Sequence, residues 1–185
     1  MPFDMQAHEM LSTIYDADNR LGEKMRALLT RGRWLDACDS LFGRERDSTR
    51  YCCGFLFNEA MDRVVLIEKA RPDWQRGRLN GVGGKLEPGE SYSNAMEREF
   101  REETGIDIMS WDRVLGMDGP GYHIEFFRGM ASDGDLDRCQ TTTDEAVIVL
   151  GYDAAIADSR LIPNLRWILP LCRDEGYETL TGRFR

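Results

Sequence analysis

The sequence lacks the residues from which several common kinds of functional site are built. It has only two histidines, His8 and His123, and neither stands in a recognisable motif. Its five cysteines include no C-x-x-C pair. A zinc site and a cysteine nucleophile both need such partners, so the sequence favours neither. The odd cysteine count, with Cys52 and Cys53 in an apolar run, is typical of buried, reduced thiols and favours a cytoplasmic compartment.

Long apolar runs and excess positive charge are also missing. No stretch of about 18 apolar residues occurs, which predicts no membrane span, and the acidic N-terminus does not resemble a signal peptide. The chain of 185 residues has 33 acidic and 24 basic side chains, a formal net charge of −9. This acidity argues against long nucleic acid as a partner. A site for anionic nucleotides would need local positive charge, which metal ions can supply.

The most informative segment is 84–106, which reads GKLEPGESYSNAMEREFREETGI. Its glutamates Glu99, Glu102 and Glu103 stand at i, i+3 and i+4, so in a helix they share one face. Three carboxylates there repel one another unless a cation lies between them. Carboxylate oxygens are hard ligands that suit Mg²⁺, or Mn²⁺ in its place. The spacing therefore predicts a divalent metal site, with a solvated helix of glutamate–arginine pairs as the alternative.

The residues on either side predict where this helix begins and ends. Ser91 is a candidate N-cap and Gly105 a candidate C-terminal glycine. The loop 80–84 before it reads NGVGG, and such glycines let the backbone approach phosphate groups. Lys85 follows, and it either offsets phosphate charge or points outward. Fixed glutamates and a glycine loop together favour the metal-binding interpretation.

The same segment fits the pattern G-x5-E-x7-R-E-U-x-E-E-x-G-U at every fixed position, where U is a bulky apolar residue. It therefore resembles the Nudix box of the Nudix hydrolases, the MutT-type pyrophosphohydrolases. The resemblance implies an α/β fold, an α/β/α sandwich around a mixed sheet, over roughly residues 50–173. It also implies an enzyme that uses Mg²⁺ to cleave a nucleoside diphosphate joined to a group X.

The resemblance assigns roles to residues of the box. It makes Glu99, Glu102 and Glu103 metal ligands, together with the backbone carbonyl of Gly84 or Lys85. Either Glu102 or Glu103 would also act as the general base.

The resemblance also assigns roles to residues that are not among those metal ligands. Glu90 and Arg98 take structural roles. The loop 141–145 resembles one that often supplies a further acid in this family, and Glu145 is the residue we expect there. Asp144 and Glu125 are the alternatives to it.

The substrate is predicted from the glycine loop and from one late tryptophan. Residues 79–85 resemble the N-G-x-G-G-K loop of family members that hydrolyse oxidised purine nucleoside triphosphates. Asn80, Lys85 and Trp167 are the expected substrate-binding residues. The alternatives are an ADP-ribose or dinucleotide pyrophosphatase, an enzyme acting on a capped RNA end, and a non-catalytic nucleotide-sensing domain. A homodimer is also expected.

The pattern along the chain predicts two parts. Residues 1–48 form an N-terminal helical extension, and residues 49–185 form the Nudix domain. Within the domain we expect a hairpin from 51–57 and 63–67, strands at 111–117, 122–130 and 146–152, and a short helix near 154–157. A last helix is expected over 165–171, and the segment 132–134 is expected to be a turn.

Overall fold

The computed structural model describes residues 48–174 and 180–183. The helices expected over residues 1–48 lie outside the described residues, apart from Ser48, and so does Cys38. The described strands are β1 (Thr49–Asn58), β2 (Arg63–Glu68), β3 (Leu79–Asn80), β4 (Trp111–Gly119), β5 (Tyr122–Ala131), β6 (Ala146–Gly151) and β7 (Leu180–Arg183). The described helices are α1 (Tyr92–Thr104), α2 (Asp133–Arg138), α3 (Tyr152–Ala157) and α4 (Leu165–Arg173).

The described strands form one mixed sheet in the order β3-β2-β1-β5-β4-β7, with β6 also paired to β2. The expected hairpin is confirmed, since β1 and β2 pair antiparallel with Leu56 opposite Val65. Strands β1 and β5 run parallel, as do β4 and β7. The remaining pairs are antiparallel. The fold class predicted from the sequence is confirmed in this sheet and in the helices that cover it.

Each face of the sheet buries its own set of apolar side chains, because neighbouring residues of a strand point to opposite faces. On one face Leu56 and Phe127 pack with Met96 and Phe100 of α1. On the other, Phe55, Phe57 and Leu66 pack with residues of α3 and α4. Full burial of one such side chain stabilises the fold by about 1.5–3 kcal/mol. The result is a three-layer sandwich that fixes α1 against the sheet.

Glycine lets α1 approach the centre of the sheet closely. A Cβ atom at Gly54 of β1 would lie 2.6 Å from the sulfur of Met96 and 2.8 Å from the ring of Trp111. Any larger residue there would push the helix away from β1. The position of the glutamates on α1 therefore depends on a residue in another element.

Two sequence predictions about element boundaries are wrong. Ser132 does not belong to a turn but caps α2, in a capping box with Asp135 that satisfies backbone N–H groups on both sides. Tyr152 is not the last residue of the strand expected over 146–152. It begins α3, and its N–H donates to the carbonyl of Asp62 at 2.7 Å. No described helix is both long and apolar enough to cross a bilayer.

Candidate active site

Helix α1 begins and ends at the residues predicted from the sequence. The side chain of Ser91 accepts a hydrogen bond from the N–H of Asn94 at 3.2 Å. Gly105 adopts the left-handed conformation with φ of 77°, and its N–H donates to the carbonyl of Arg101 at 2.9 Å. Between these caps Met96 and Phe100 face the core. That orientation decides which way the glutamates of the same helix point.

The three glutamates differ strongly in exposure. The side chain of Glu102 is 53% exposed, whereas that of Glu99 is 14% exposed and Glu103 is buried. Burial raises the pKa of Glu99, against the opposing effect of Arg98. Burial also raises the pKa of Glu103, to about 7, with Lys69 lowering it and Glu145 adding to the rise. The carboxyl group of Glu103 therefore has a pKa near neutral pH, and it lies beside the carboxyl groups of Glu99 and Glu145.

The glycine loop lies where β1 and β2 separate. β3 pairs with the end of β2 through Asn80, and two residues later the chain pairs with β1 instead. The N–H of Gly54 donates to the carbonyl of Val82 at 2.7 Å, and the N–H of Cys52 donates to the carbonyl of Gly84 at 2.9 Å. These bonds hold the loop between the sheet and α1.

Two glycines of this loop are required by their surroundings. Gly83 has φ of +148°, and a Cβ atom there would lie 2.3 Å from the carbonyl oxygen of Cys52. A Cβ atom at Gly84 would lie 2.6 Å from the carboxylate atoms of Glu99. The N–H of Gly83 donates to Glu103 at 3.3 Å. The loop backbone is therefore in direct contact with two of the three glutamates.

Glu145 lies beside the glutamates of α1, although more than 40 residues separate them in the sequence. Pairing of β2 with β6 places Ala146 opposite Glu68, so Glu145 is next to Lys69. The two side chains form a buried ion pair, and the N–H of Ala70 donates to Glu145 at 3.2 Å. Both Lys69 and Glu145 are close enough to shift the pKa of Glu103.

The loop that carries Glu145 is attached to the C-terminal end of α1. The hydroxyl of Thr142 donates to the carbonyl of Glu102, and its N–H donates to the carbonyl of Glu103 at 3.4 Å. The N–H of Gln140 donates to the carbonyl of Thr104 at 2.9 Å. Carbonyls in the last turn of a helix have no partners within the helix. These bonds satisfy them and fix one acidic segment relative to the other.

Arg98 links the glutamates of α1 to the turn before the helix. Its guanidinium donates twice to Glu90, each time at 2.9 Å, and once to Glu99 at 2.8 Å. It also donates to Glu102 at 3.2 Å and to the carbonyl of Lys85 at 3.3 Å. Hydrogen bonds from Arg98 lower the pKa of Glu90. This geometry agrees with the structural roles expected for Glu90 and Arg98.

The donor set suits a hard divalent cation by its chemistry, since its side-chain ligands are carboxylate oxygens. Within the described residues, however, no three acidic, histidine or cysteine side chains already converge on one point. Arg98 holds Glu99 and Glu102, and Lys69 holds Glu145. Glu102 is the most exposed of them and can turn without disturbing the core. The carbonyl of Gly84 accepts a hydrogen bond from the N–H of Cys52 at 2.9 Å and a long one from its thiol at 3.8 Å.

The other predicted residues differ in their relation to the cluster. Asn80 is half-buried, and its side-chain oxygen accepts from the N–H of Gly81 at 2.9 Å. Lys85 is exposed. Trp167 is 39% exposed on α4, which packs against the opposite face of the sheet from α1. Asp144 is exposed and pairs with Arg71 at 3.0 Å.

Glu125, the remaining alternative to Glu145, is fully buried elsewhere on the sheet. Arg113 donates two hydrogen bonds to its carboxylate, and His123 contacts it as well. Its oxygens are already engaged by these groups, so it is not available to the cluster. Among the described residues, Lys69 and Thr142 are the site residues that the sequence analysis missed. A basic residue directly after a buried strand was the available signal for Lys69.

Comparison with known proteins agrees with this geometry. Residues 48–164 match the family model of the NUDIX domain. Over 49 residues the chain is 45% identical to an uncharacterized Nudix hydrolase, YvcI, of Bacillus subtilis, covering 26% of this chain and 28% of that protein. Over 83 residues it is 34% identical to the 8-oxo-dGDP phosphatase NUDT18 of Mus musculus, covering 41% and 25% respectively. The chain thus spans only about a quarter of the length of these relatives.

Solved structures share the fold at low sequence identity. A MutT protein from Bacillus halodurans has a TM-score of 0.55 at 20% identity, covering 74% of this chain and 90% of that one. A MutT protein from Methanosarcina mazei Go1 has a TM-score of 0.56 at 18% identity, covering 74% of this chain and all of that one, 100%. At such identities the likeness establishes the fold alone.

Proposed function

The chain belongs to the NUDIX domain family, and from this premise we propose that it is a Mg²⁺-dependent pyrophosphohydrolase acting on nucleotides. The observation that supports this most directly is the meeting of two acidic segments beside a glycine loop. Glu99, Glu102 and Glu103 come from α1, and Glu145 comes from the segment before β6. Their contacts with Gly83, Gly84 and Lys69 are those described above.

The proposed reaction is attack of water on a phosphorus atom of the substrate. A new P–O bond forms, the anhydride P–O bond breaks, and the leaving phosphate group takes its electron pair. Glu145, or Glu102 or Glu103, accepts the proton that the attacking water loses. The glycine loop lets the phosphates approach the backbone without steric conflict.

The residues proposed to hold the cation are Glu99, Glu102, Glu103 and the carbonyl of Gly84. A divalent cation would supply neutralisation of the phosphate charge and a lower pKa for bound water. Mg²⁺ is the proposed ion and Mn²⁺ a substitute, because both prefer oxygen ligands. The chain has a formal net charge of −9, so without such a cation this acidic site would repel an anionic substrate.

The favoured substrates are nucleoside triphosphates, including their oxidised purine forms. Support comes from the N-G-x-G-G-K sequence of the glycine loop and from the 8-oxo-dGDP phosphatase named among the relatives. Asn80, Lys85 and Trp167 are the proposed substrate-binding residues. A homodimer in the cytoplasm remains part of this proposal.

Turnover of a nucleotide panel with Mg²⁺ tests the function. The panel contains dGTP, 8-oxo-dGTP, 8-oxo-dGDP, ADP-ribose and a dinucleoside polyphosphate. We expect phosphate or pyrophosphate release from the guanine nucleotides. The variant Glu102→Gln should lower kcat by roughly a hundredfold or more, since it removes a proposed cation ligand and base candidate.

The matched control for this variant is Glu97→Gln. It makes the same chemical change on the same helix, at a position that points away from Glu99 and Glu103. We expect Glu97→Gln to retain wild-type kcat. Equal turnover in Glu102→Gln and wild type would contradict the proposed chemistry, and turnover of ADP-ribose alone would replace the proposed substrate class.

A further inference from the structure

The segment 69–78, which joins β2 to β3, carries positive charge in an otherwise acidic chain. We call it the Trp74 loop. Its sequence KARPDWQRGR contains four basic residues and one acidic residue, a net charge of +3, against −9 for the whole chain. Such a local excess of positive charge raises the concentration of anions nearby.

The Trp74 loop is held in shape by its own backbone. The N–H of Lys69 donates to the carbonyl of Arg78 at 2.9 Å, and the N–H of Gly77 donates to the carbonyl of Lys69 at 2.8 Å. Near the tip, the N–H of Gln75 donates to the carbonyl of Pro72 at 2.8 Å. These bonds close both the base and the tip, so Trp74 is presented from a fixed position.

The indole of Trp74 is exposed to solvent. Trp74 is 68% exposed and belongs to neither apolar core of the sheet. A large aromatic ring in water gains free energy when it stacks on another flat, apolar surface. Every nucleobase offers such a surface, and stacking on it requires no particular base sequence.

The arginines around Trp74 are exposed, so an anion in solution can reach them. Arg76 pairs with Asp73 at 2.6 Å, but these side chains are 68% and 92% exposed. Exposed ion pairs of this kind are weak and screened by salt, so a phosphate can replace the carboxylate. Arg78 is exposed and has no ion-pair partner among the residues that the structure describes.

The first residues of the Trp74 loop and its tip both contact the candidate active site. Lys69 pairs with Glu145, and the N–H of Ala70 donates to the same carboxylate. The side chain of Asn80, at the start of the glycine loop, donates to the side chain of Gln75 at 3.4 Å. A molecule bound to the Trp74 loop therefore lies beside the carboxylate cluster.

We propose that the Trp74 loop recognises the substrate: the nucleobase stacks on Trp74, and Arg76 and Arg78 attract the phosphates. This inference rests on the proposed function and deepens it, because it assigns base recognition to a loop outside the Nudix box. The ligand class that fits is a nucleotide with an unpaired, accessible base. A sugar phosphate or inorganic polyphosphate would gain only the charge interaction.

Steady-state kinetics of Trp74→Ala and Trp74→Phe test the proposal with dGTP as substrate. Loss of base stacking should raise KM by roughly tenfold or more in Trp74→Ala, with kcat within about twofold of wild type because the carboxylates are unchanged. Trp74→Phe should restore KM to within about threefold, since a phenyl ring still stacks. Met109→Ala serves as the control, because Met109 is another exposed apolar side chain and belongs to neither the carboxylate cluster nor the Trp74 loop.

Inorganic tripolyphosphate, which has no base, separates stacking from a general disturbance of the site. Its inhibition constant against dGTP should be the same in Trp74→Ala as in wild type, and should rise when Arg76 and Arg78 are both replaced by Ala. An unchanged KM in Trp74→Ala, or an equal rise in KM and in the tripolyphosphate inhibition constant, overturns the proposal.

Binding without turnover distinguishes failure of this inference from failure of the proposed function. If no panel nucleotide is hydrolysed, the proposed function fails, and tryptophan fluorescence then decides the inference alone. Titration of wild type with dGTP should quench the emission, and the quenching should persist in Met109→Ala but disappear in Trp74→Ala. Quenching that persists in Trp74→Ala overturns the inference.

Discussion

In the glycine loop, the absence of a Cβ atom at two positions leaves space for neighbouring groups of the site. Gly84 has no side chain to occupy the space that the carboxylate of Glu99 fills, and a Cβ atom there would lie 2.6 Å from three atoms of that group. Gly83 makes a backbone hydrogen bond to Glu103 from a conformation that side chains rarely adopt. The positions of Glu99 and Glu103 therefore depend on the absence of a side chain at Gly84 and Gly83.

Replacement of Gly84 by alanine should displace Glu99 without unfolding the domain. We expect kcat of Gly84→Ala to fall by about a hundredfold, because small misplacements of reacting groups have effects of that size, while the circular dichroism spectrum stays that of wild type. Gly134→Ala is the control, since a Cβ atom there comes no closer than 3.8 Å to its nearest neighbour, the hydroxyl oxygen of Ser132. Unchanged kcat in Gly84→Ala would show that Glu99 does not need this position.

At the scale of elements, α2 is attached to the hairpin of β1 and β2 by Asp133. Its carboxylate accepts from Arg63 at 2.8 Å and from the buried side chain of Asn58 at 3.1 Å. The hydrogen bond from Arg63, supported by that from Asn58, holds the pKa of Asp133 below its usual 3.8. The folded state therefore binds fewer protons at this group than the unfolded state does.

This lowered pKa predicts a pH-dependent contribution to stability. The contribution is fully present above pH 3.8, the ordinary value of the group, and is lost as the pH falls through the lower pKa of the folded state. Thermal unfolding should give a lower Tm for Asp133→Asn than for wild type at pH 7, and the difference should shrink on acidification below that value. The control is Glu59→Gln, since Glu59 is exposed and has no ion-pair partner within the part of the chain that the structure describes; it should show no such trend. A difference in Tm that is independent of pH would exclude this linkage.

The second contact between elements joins the 140–145 segment to the end of α1. Thr142 uses both its hydroxyl and its N–H there, so the distance between Glu145 and the glutamates of α1 depends on this loop. The hydroxyl bond can be removed without a change in side-chain shape.

We expect Thr142→Val to lower stability slightly and activity more. Loss of one hydrogen bond costs about 1 kcal/mol, which corresponds to a fall in Tm of about 2–4 °C for a chain of this size. Displacement of Glu145 should lower kcat by roughly tenfold. Calorimetry and steady-state kinetics would measure the two effects, with Ser93→Ala on the exposed side of α1 as the control. A fall in Tm with unchanged kcat would mean that the contact serves stability alone.

At the scale of the whole molecule, the sheet brings together residues from four separate segments. Lys69 follows β2, the glycine loop follows β3, the glutamates belong to α1, and Glu145 precedes β6. Pairing of β2 with both β3 and β6 places these ends side by side. In a chain of net charge −9, we propose that this site attracts an anion through a bound cation and through the Trp74 loop.

Three of the four described cysteines agree with the prediction of buried thiols, and Cys139 is half-buried. Cys52, Cys53 and Cys172 are buried and free. Burial raises the pKa of Cys52 and of Cys172 to about 12, and that of Cys53 well above its usual value. Thiols with such pKa values are unreactive, which fits a structural role.

The sequence by itself determined the features that depend on residues close together in the chain. The spacing of Glu99, Glu102 and Glu103, the cap at Ser91 and the glycine at 105 are local, because a helix relates residues only three or four positions apart. The hairpin of β1 and β2 is local because only a short turn separates the two strands. These patterns were sufficient to identify the box and the helix, and the fold class followed from the family resemblance that the box carries.

Only the tertiary structure decided which distant residues meet. Long-range strand pairing brings Lys69 to Glu145, and burial raises the pKa of Glu103; neither effect has a signature in local spacing. The same holds for Glu125. Its position in the sequence made it a candidate acid for the site, but in the fold Arg113 and His123 contact its carboxylate. Pairing register and burial are properties of the packed sheet, because they depend on the positions of all its strands at once.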